Sequence, residues 1–230
     1  MEACRRMDSA KCLRRRLRVS IELALVLIAL AAGNAGAQPT TDAARGLATL
    51  EAFLDGVRSL TADFKQELYG ADQRLLETET GTLSLERPNR FRWTYMHPTE
   101  LVVVADGAKL WMYDVELAQV TVAPLDETVG SSPALLLSGD RRVRDGFDVE
   151  QTYTADGLDW VKLAPKADAS EFTSVLIGFE GAAPHRLELV DGLNQVTRIE
   201  LTNVKVNPEL ADTLFEFRPP AGVDVIGGEG

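Results

Sequence analysis

The sequence predicts a mainly β domain, a large curved antiparallel sheet or barrel with few helices. Three observations predict it. Beyond residue 60, apolar and polar residues alternate with the two-residue period of a strand. Turn signals break that pattern at short intervals, at Gly70-Ala71-Asp72, Asp106-Gly107, Asp156-Gly157, residues 181–184, Asp191-Gly192 and Asn207-Pro208. The stretch 83–114, LSLERPNRFRWTYMHPTELVVVADGAKLWMYD, reads as consecutive strands that are apolar on both faces over much of their length. Phe91, Trp93 and Tyr95 share one face with Arg92 and Thr94 opposite, and the run from Leu101 to Ala105, Val103 included, has no polar face. Such strands are either buried twice or offer their second face to an apolar ligand.

The chain opens with a segment that is not expected to join the fold. Seven Lys and Arg precede residue 20, a short apolar core runs from Leu23 to Ala32, and Ala35-Gly36-Ala37 follows. Basic, apolar, then A-x-A is a secretory signal, with cleavage expected after Ala37. Its core is about ten residues, short of the ~20 that span a bilayer. Met7 is an alternative start, and Arg15-Arg16 a weak hint of twin-arginine export. Residues 38–230 then form one domain in the periplasm.

Both cysteines, Cys4 and Cys12, fall within the leader. The exported part is therefore expected to have no disulfide, thiol nucleophile, thiolate metal site or lipid-bearing Cys. Removing seven basic and three acidic leader residues leaves 17 against 32, a net charge of −15. That balance repels nucleic acid and anionic headgroups, which excludes nucleic-acid binding.

Within the domain, Leu47, Leu50, Leu54 and Val57, flanked by Phe53, predict an amphipathic helix over 42–57 capped by Asp42. Period two then takes over, with Ala62, Phe64, Gln66 and Leu68 on one face. Residues 74–80 and 82–85 read as the next strand pair, broken or bulged at Gly81. Residues 115–125 continue the sheet, and further strands are expected at 148–153, 158–164, 173–180, 186–190, 195–206 and 214–218, before a frayed tail from Pro219. A second, short helix is expected where Ser132 caps Pro133-Ala134-Leu135-Leu136-Leu137 and Ser138-Gly139 stops it. Consecutive leucines point around the whole helix, so it is either core or a cover over an apolar hollow.

No catalytic constellation emerges. His97 and His185 are 88 positions apart without a carboxylate cluster, so no metal is assigned. Ser131 and Ser132 lack a G-x-S-x-G elbow, and Asp126-Glu127 reads as solvated surface. No cofactor is expected.

Several blocks together resemble the periplasmic outer-membrane lipoprotein carrier family, LolA. They are LTADFKQ (60–66), GTLSLERPNRFRW (81–93), the run 101–113 with its ADG turn, GSSPALLL (130–137), LAPK (163–166) and LFEFRPPAGV (214–223). The resemblance implies an incomplete, unclosed antiparallel β-barrel whose concave apolar cavity is covered by short α-helices. It implies no enzymatic activity, but a carrier that takes lipoprotein acyl chains from an inner-membrane ABC transporter to an outer-membrane receptor, as a monomer. Under it, Phe91, Trp93, Tyr95, Leu50, Leu54, Leu101, Val103 and Trp111 line the cavity. Residues Pro133 to Leu137 form the lid, and Arg87 pins that lid to the barrel. Read without the family, Arg87 solvates a turn, the three aromatics are sheet core, and Trp111 belongs to core. The acidity departs from what electrostatic steering to a receptor wants, although Lys65, Arg74, Arg90, Arg92 and Arg141-Arg142-Arg144 allow local basic patches. Three other functions compete: a lipid-sensing regulatory module, a carrier dedicated to a glycolipid or pigment pathway, and an acyl-ester hydrolase.

Overall fold

A computed structural model of the protein describes residues 41–125, 137–138, 146–166 and 172–227. The expected leader, lid residues Pro133 to Leu136 and the basic cluster at 141–144 lie outside the described residues; Asp42, expected as the cap, falls within the helix, one residue after its start at Thr41. Helix α1 (Thr41–Gly56) is the predicted amphipathic helix; its end lies one residue earlier than expected, although the Val57 amide still donates to the Phe53 carbonyl at 3.2 Å. Twelve strands follow: β1 (Ser59–Tyr69), β2 (Leu75–Glu86), β3 (Arg90–His97), β4 (Leu101–Asp106), β5 (Lys109–Asp114), β6 (Gln119–Pro124), β7 (Phe147–Ala155), β8 (Leu158–Pro165), β9 (Phe172–Glu180), β10 (Ala183–Asp191), β11 (Val196–Val206) and β12 (Asp224–Gly227).

They form one sheet in the order β12-β6-β5-β4-β3-β2-β1-β11-β10-β9-β8-β7. Every neighbour is antiparallel except β12, which runs parallel to β6. Its end strands β12 and β7 do not pair with each other, so the sheet is open, as an unclosed barrel requires.

Three expectations are corrected. The two segments expected around Gly81 are the single strand β2, so there is no break; the bulge expected there is present as a register slip against β3, between Thr80 and Gly81. A Cβ at Gly81 would sit 1.9 Å from the Thr94 carbonyl oxygen and 2.8 Å from the Phe64 ring. The missing side chain, rather than a chain break, is what this position supplies. Residues 214–218 are not a strand: Leu214 and Phe215 lie in a 3₁₀ turn (Asp212–Phe215), and Phe217 packs its ring against Trp111 and Tyr113 at 5.7 and 5.9 Å. Alternating aromatics there fill a face instead of pairing an edge, and Pro219-Pro220 have no amide to donate. The tail does not fray at 224–227; it arrives at the free edge of β6 and completes its hydrogen-bond ladder as β12.

The sheet is apolar on two faces where β4 lies, as the unbroken run at Leu101–Ala105 predicts. On the inner face a continuous core joins Leu60, Phe64, Leu83, Leu85, Phe91 and Trp93 to Leu187, Ile199 and Leu201, and α1 lies over it through Leu50, Phe53 and Val57. On the outer face Val102, Val104, Val120 and Val122 are buried with Phe215.

Candidate functional site

Cross-strand register builds the inner face row by row. Leu60, Leu85, Phe91 and Ala105 lie opposite one another along neighbouring strands; the next row is Ala62, Leu83, Trp93 and Val103; the next is Phe64, Gly81, Tyr95 and Leu101. Directly opposed residues share a face, so Phe91, Trp93, Tyr95, Leu101 and Val103 are brought together as expected. Phe64 sits among the aromatics, its ring 4.8 Å from Trp93 and 5.1 Å from Tyr95. Trp111 does not join them. It opposes Val104, in the row of Arg92, so the two-residue period turns it outward, where its indole donates to Asp106 Oδ2 at 2.9 Å.

Leu50 is buried, and Leu54 is half-buried against the same cluster. Both reach the face because α1 lies against β7 and β8 and packs Phe53 on Phe179 with tilted rings, centroids 5.5 Å apart. Glycine at position 46 permits that approach, since a Cβ there would meet Thr152 Cβ at 2.6 Å. Leu137, the one described residue of the expected lid, and Ser138 after it are fully buried.

Arg87 links these coverings. Its Nη1 donates to the Leu54 carbonyl at 3.3 Å and its Nη2 to the Leu137 carbonyl at 2.9 Å, while the guanidinium lies 4.4 Å over the Phe53 ring. One side chain on the β2–β3 turn thus touches the helix and Leu137 together. The Asn89 amide adds a bond to the Ser138 carbonyl at 3.2 Å.

The face grades from apolar to polar along β1 and β2. Beyond Phe64 and Gly81 the next pair is Gln66 and Glu79, whose side chains bond at 2.6 Å. Burial, then the neighbouring Glu77 charge, raises the Glu79 pKa against that bond. Burial also pushes the Tyr95 hydroxyl well up, reinforced by Glu79, so Tyr95 stays a neutral phenol. Sequence reasoning missed this polar end, Phe53 as the platform for Arg87, and Asn207. Asn207 accepts from the Arg58 amide at 2.7 Å and donates to the Gly56 carbonyl at 3.0 Å, tying α1 to β1. Only its turn propensity was legible.

Among the described residues the inner face is packed with apolar side chains. The apolar opening beside α1 is a cleft of about 120 Å³ between Leu47, Leu50, Leu54, Phe147, Val149 and Leu163. Roomier recesses on the other face, around Lys65, Arg186 and Glu188 or around Thr61, Thr82 and Lys205, are open and polar and give an acyl chain no enclosing apolar wall. Among the described residues no three His, Cys, Asp or Glu side chains are grouped to hold a metal ion, and no helix is long and apolar enough to cross a membrane.

The family described as "Outer membrane lipoprotein carrier protein LolA" matches residues 55–218. The chain belongs to the LolA family. A LolA-family protein of Methylococcus capsulatus, named outer-membrane lipoprotein carrier protein, is 43% identical over 201 residues, covering 87% of this chain and 95% of its own. Proteins of the same name from Nitrosospira multiformis and Bordetella avium are 40% and 36% identical, covering 81% and 88% of this chain and 91% and 94% of theirs.

Proposed function

We propose that this LolA-family chain is a periplasmic carrier of lipoproteins that holds their acyl chains against the inner face of its sheet and does no covalent chemistry on them. The observation that carries the reading is the Arg87 contact: the apolar face is covered by α1 and Leu137, and both are held by one guanidinium on backbone carbonyls. An inner-membrane ABC transporter supplies the cargo and an outer-membrane receptor takes it. The chain reaches the periplasm by export with cleavage after Ala37 and works there as a monomer. Phe91, Trp93, Tyr95, Leu50, Leu54, Leu101 and Val103 are the contacts offered to cargo, and residues 133–137 are the lid.

Energetics favour a cover over an open cavity. At about 0.8 kcal/mol per buried methylene, a chain of roughly 16 carbons gains about 12 kcal/mol. Three such chains would exceed the ceiling of about 18–21 kcal/mol for noncovalent binding and would not be released. A carrier therefore needs its own side chains to compete for the same face. Leu50, Leu54 and Leu137 supply that competition, and Arg87 sets its strength.

The test is intact-mass analysis of the protein isolated from the periplasm of cells that make lipoproteins. A triacylated lipoprotein in equimolar complex is expected, and it should be lost in Phe91→Glu, which puts a charge on the buried row. Free phospholipid in its place would overturn the lipoprotein reading in favour of a sensor or dedicated carrier.

A further inference from the structure

The protein has three tryptophans, and all three are among the described residues. The Trp111 indole donates to Asp106 Oδ2 at 2.9 Å and the Trp160 indole to the Ala155 carbonyl at 3.2 Å. Trp93 is different. It is 2% exposed, yet its Nε1–H has no hydrogen-bond partner among the described residues. A buried donor left unpaired is costly, and native proteins seldom tolerate one without a reason. Phenylalanine would fill the same row with no such cost.

The location suggests what the donor serves. Trp93 stands where the inner face changes character. Towards Arg87 the rows are apolar, Ala62-Leu83-Trp93-Val103 and then Leu60-Leu85-Phe91-Ala105. Away from Arg87, beyond Phe64, come Gln66, Glu79 and the Tyr95 hydroxyl. Gln66 donates to Glu79 through Nε2 and its side chain also meets the Tyr95 hydroxyl, so the three form one polar group at that end of the face. A molecule with a hydrocarbon tail and a polar, carbonyl-bearing head has the same gradient.

We propose that Trp93 Nε1 receives the ester carbonyl at the head of a bound acyl chain, fixing the chain's direction, with its head towards Gln66, Glu79 and Tyr95 and its tail towards Phe91 and Arg87. The proposal rests on the carrier reading above and adds to it a polar subsite and an orientation. The covered, empty protein then holds a donor that only cargo satisfies, so loading removes a defect that hydrocarbon alone would leave.

The experiment uses the protein exported from the full chain and two synthetic lipopeptides that differ only in carrying ester-linked or ether-linked chains. The ester form should bind about ten-fold more tightly, the loss expected when one buried donor has no acceptor. Trp93→Phe should bring that ratio to about one. In parallel, ¹⁵N-indole spectra, with Trp111→Phe and Trp160→Phe assigning the other two signals, should show the Trp93 resonance moving downfield on loading with ester but not ether. That spectral arm needs no variant at position 93. Equal binding of both lipopeptides with an unmoved Trp93 signal overturns the subsite and leaves the carrier reading intact, as does an ester preference that survives in Trp93→Phe. Failure to bind either lipopeptide overturns the carrier reading itself.

Discussion

The two faces of the β3–β6 region are both apolar and both covered, but by different means. The outer face is covered by the chain's own end. Phe215 is buried on it, Phe217 packs against Trp111 and Tyr113, and β12 is bonded into the sheet edge. Arg90 stacks over Phe215 at 5.2 Å and pairs with Asp212 at 2.8 Å and with Glu86. The inner face is covered by α1 and Leu137, both bonded by Arg87, with further single bonds from Asn89 to Ser138 and from Asn207 to Gly56. Area burial and a strand ladder make a permanent cover, whereas a few hydrogen bonds to carbonyls make one that a competing apolar ligand can replace. The difference supports the proposal that the outer face serves structure and the inner one cargo.

Phe215→Ala tests the permanent cover and should have the largest effect. Truncating a fully buried phenylalanine costs about 3–5 kcal/mol, transfer and cavity together. Urea unfolding should show that loss, while lipopeptide affinity measured below the transition stays at the wild-type value. Weakened cargo binding in the folded variant would mean that the faces are not independent.

Arg87→Leu tests the replaceable cover. It removes charged donors from the Leu54 and Leu137 carbonyls and is expected to cost about 1.5–3 kcal/mol of stability. The same change removes the competitor of the cargo, so lipopeptide should be held about ten-fold more tightly and released more slowly, equivalent to about 1.4 kcal/mol of bias lost from the covered state. Dissociation rates by lipopeptide exchange would check this. A variant that loads and unloads at wild-type rates would sink the latch.

Much of this contrast was legible in the sequence, and the illegible part has a physical cause. Period two placed Phe91, Trp93 and Tyr95 on one face, and the unbroken run at Leu101–Ala105 announced two buried faces. Which face a neighbouring strand shares is a matter of register, and register depends on hairpin geometry that composition does not fix. Trp111 was assigned to the wrong face for that reason: Leu110, Trp111, Met112 and Tyr113 are all large, so alternation gave no parity. Residues 214–218 misled in the same way, because alternating Phe215 and Phe217 suit a strand and a face-filling segment equally. The polar end at Gln66 and Glu79 was invisible because the two are 13 positions apart and meet only through the β1–β2 pairing.

Asp106→Asn sharpens the comparison by its pH dependence and should have the smallest effect. On the outer side, Asp106 Oδ1 accepts from the Ala108 and Lys109 amides at 2.9 and 2.8 Å, and Oδ2 from the Trp111 indole. Burial raises its pKa, but the Trp111 bond, the two amides and the Lys109 charge outweigh it, so the net shift is downward. A carboxyl whose folded pKa is depressed adds stability above its unfolded value of about 3.9, and that stability is lost as pH falls through the folded value. The variant should therefore be less stable by about 1 kcal/mol at neutral pH. Its deficit should shrink once the pH drops below about 4. Arg87 stays charged across this range, so the Arg87→Leu deficit should not follow that curve. Urea midpoints for both variants at neutral and acid pH separate the two covers: a deficit at Asp106 that is equally large in acid would remove the carboxylate charge from the account of the outer face.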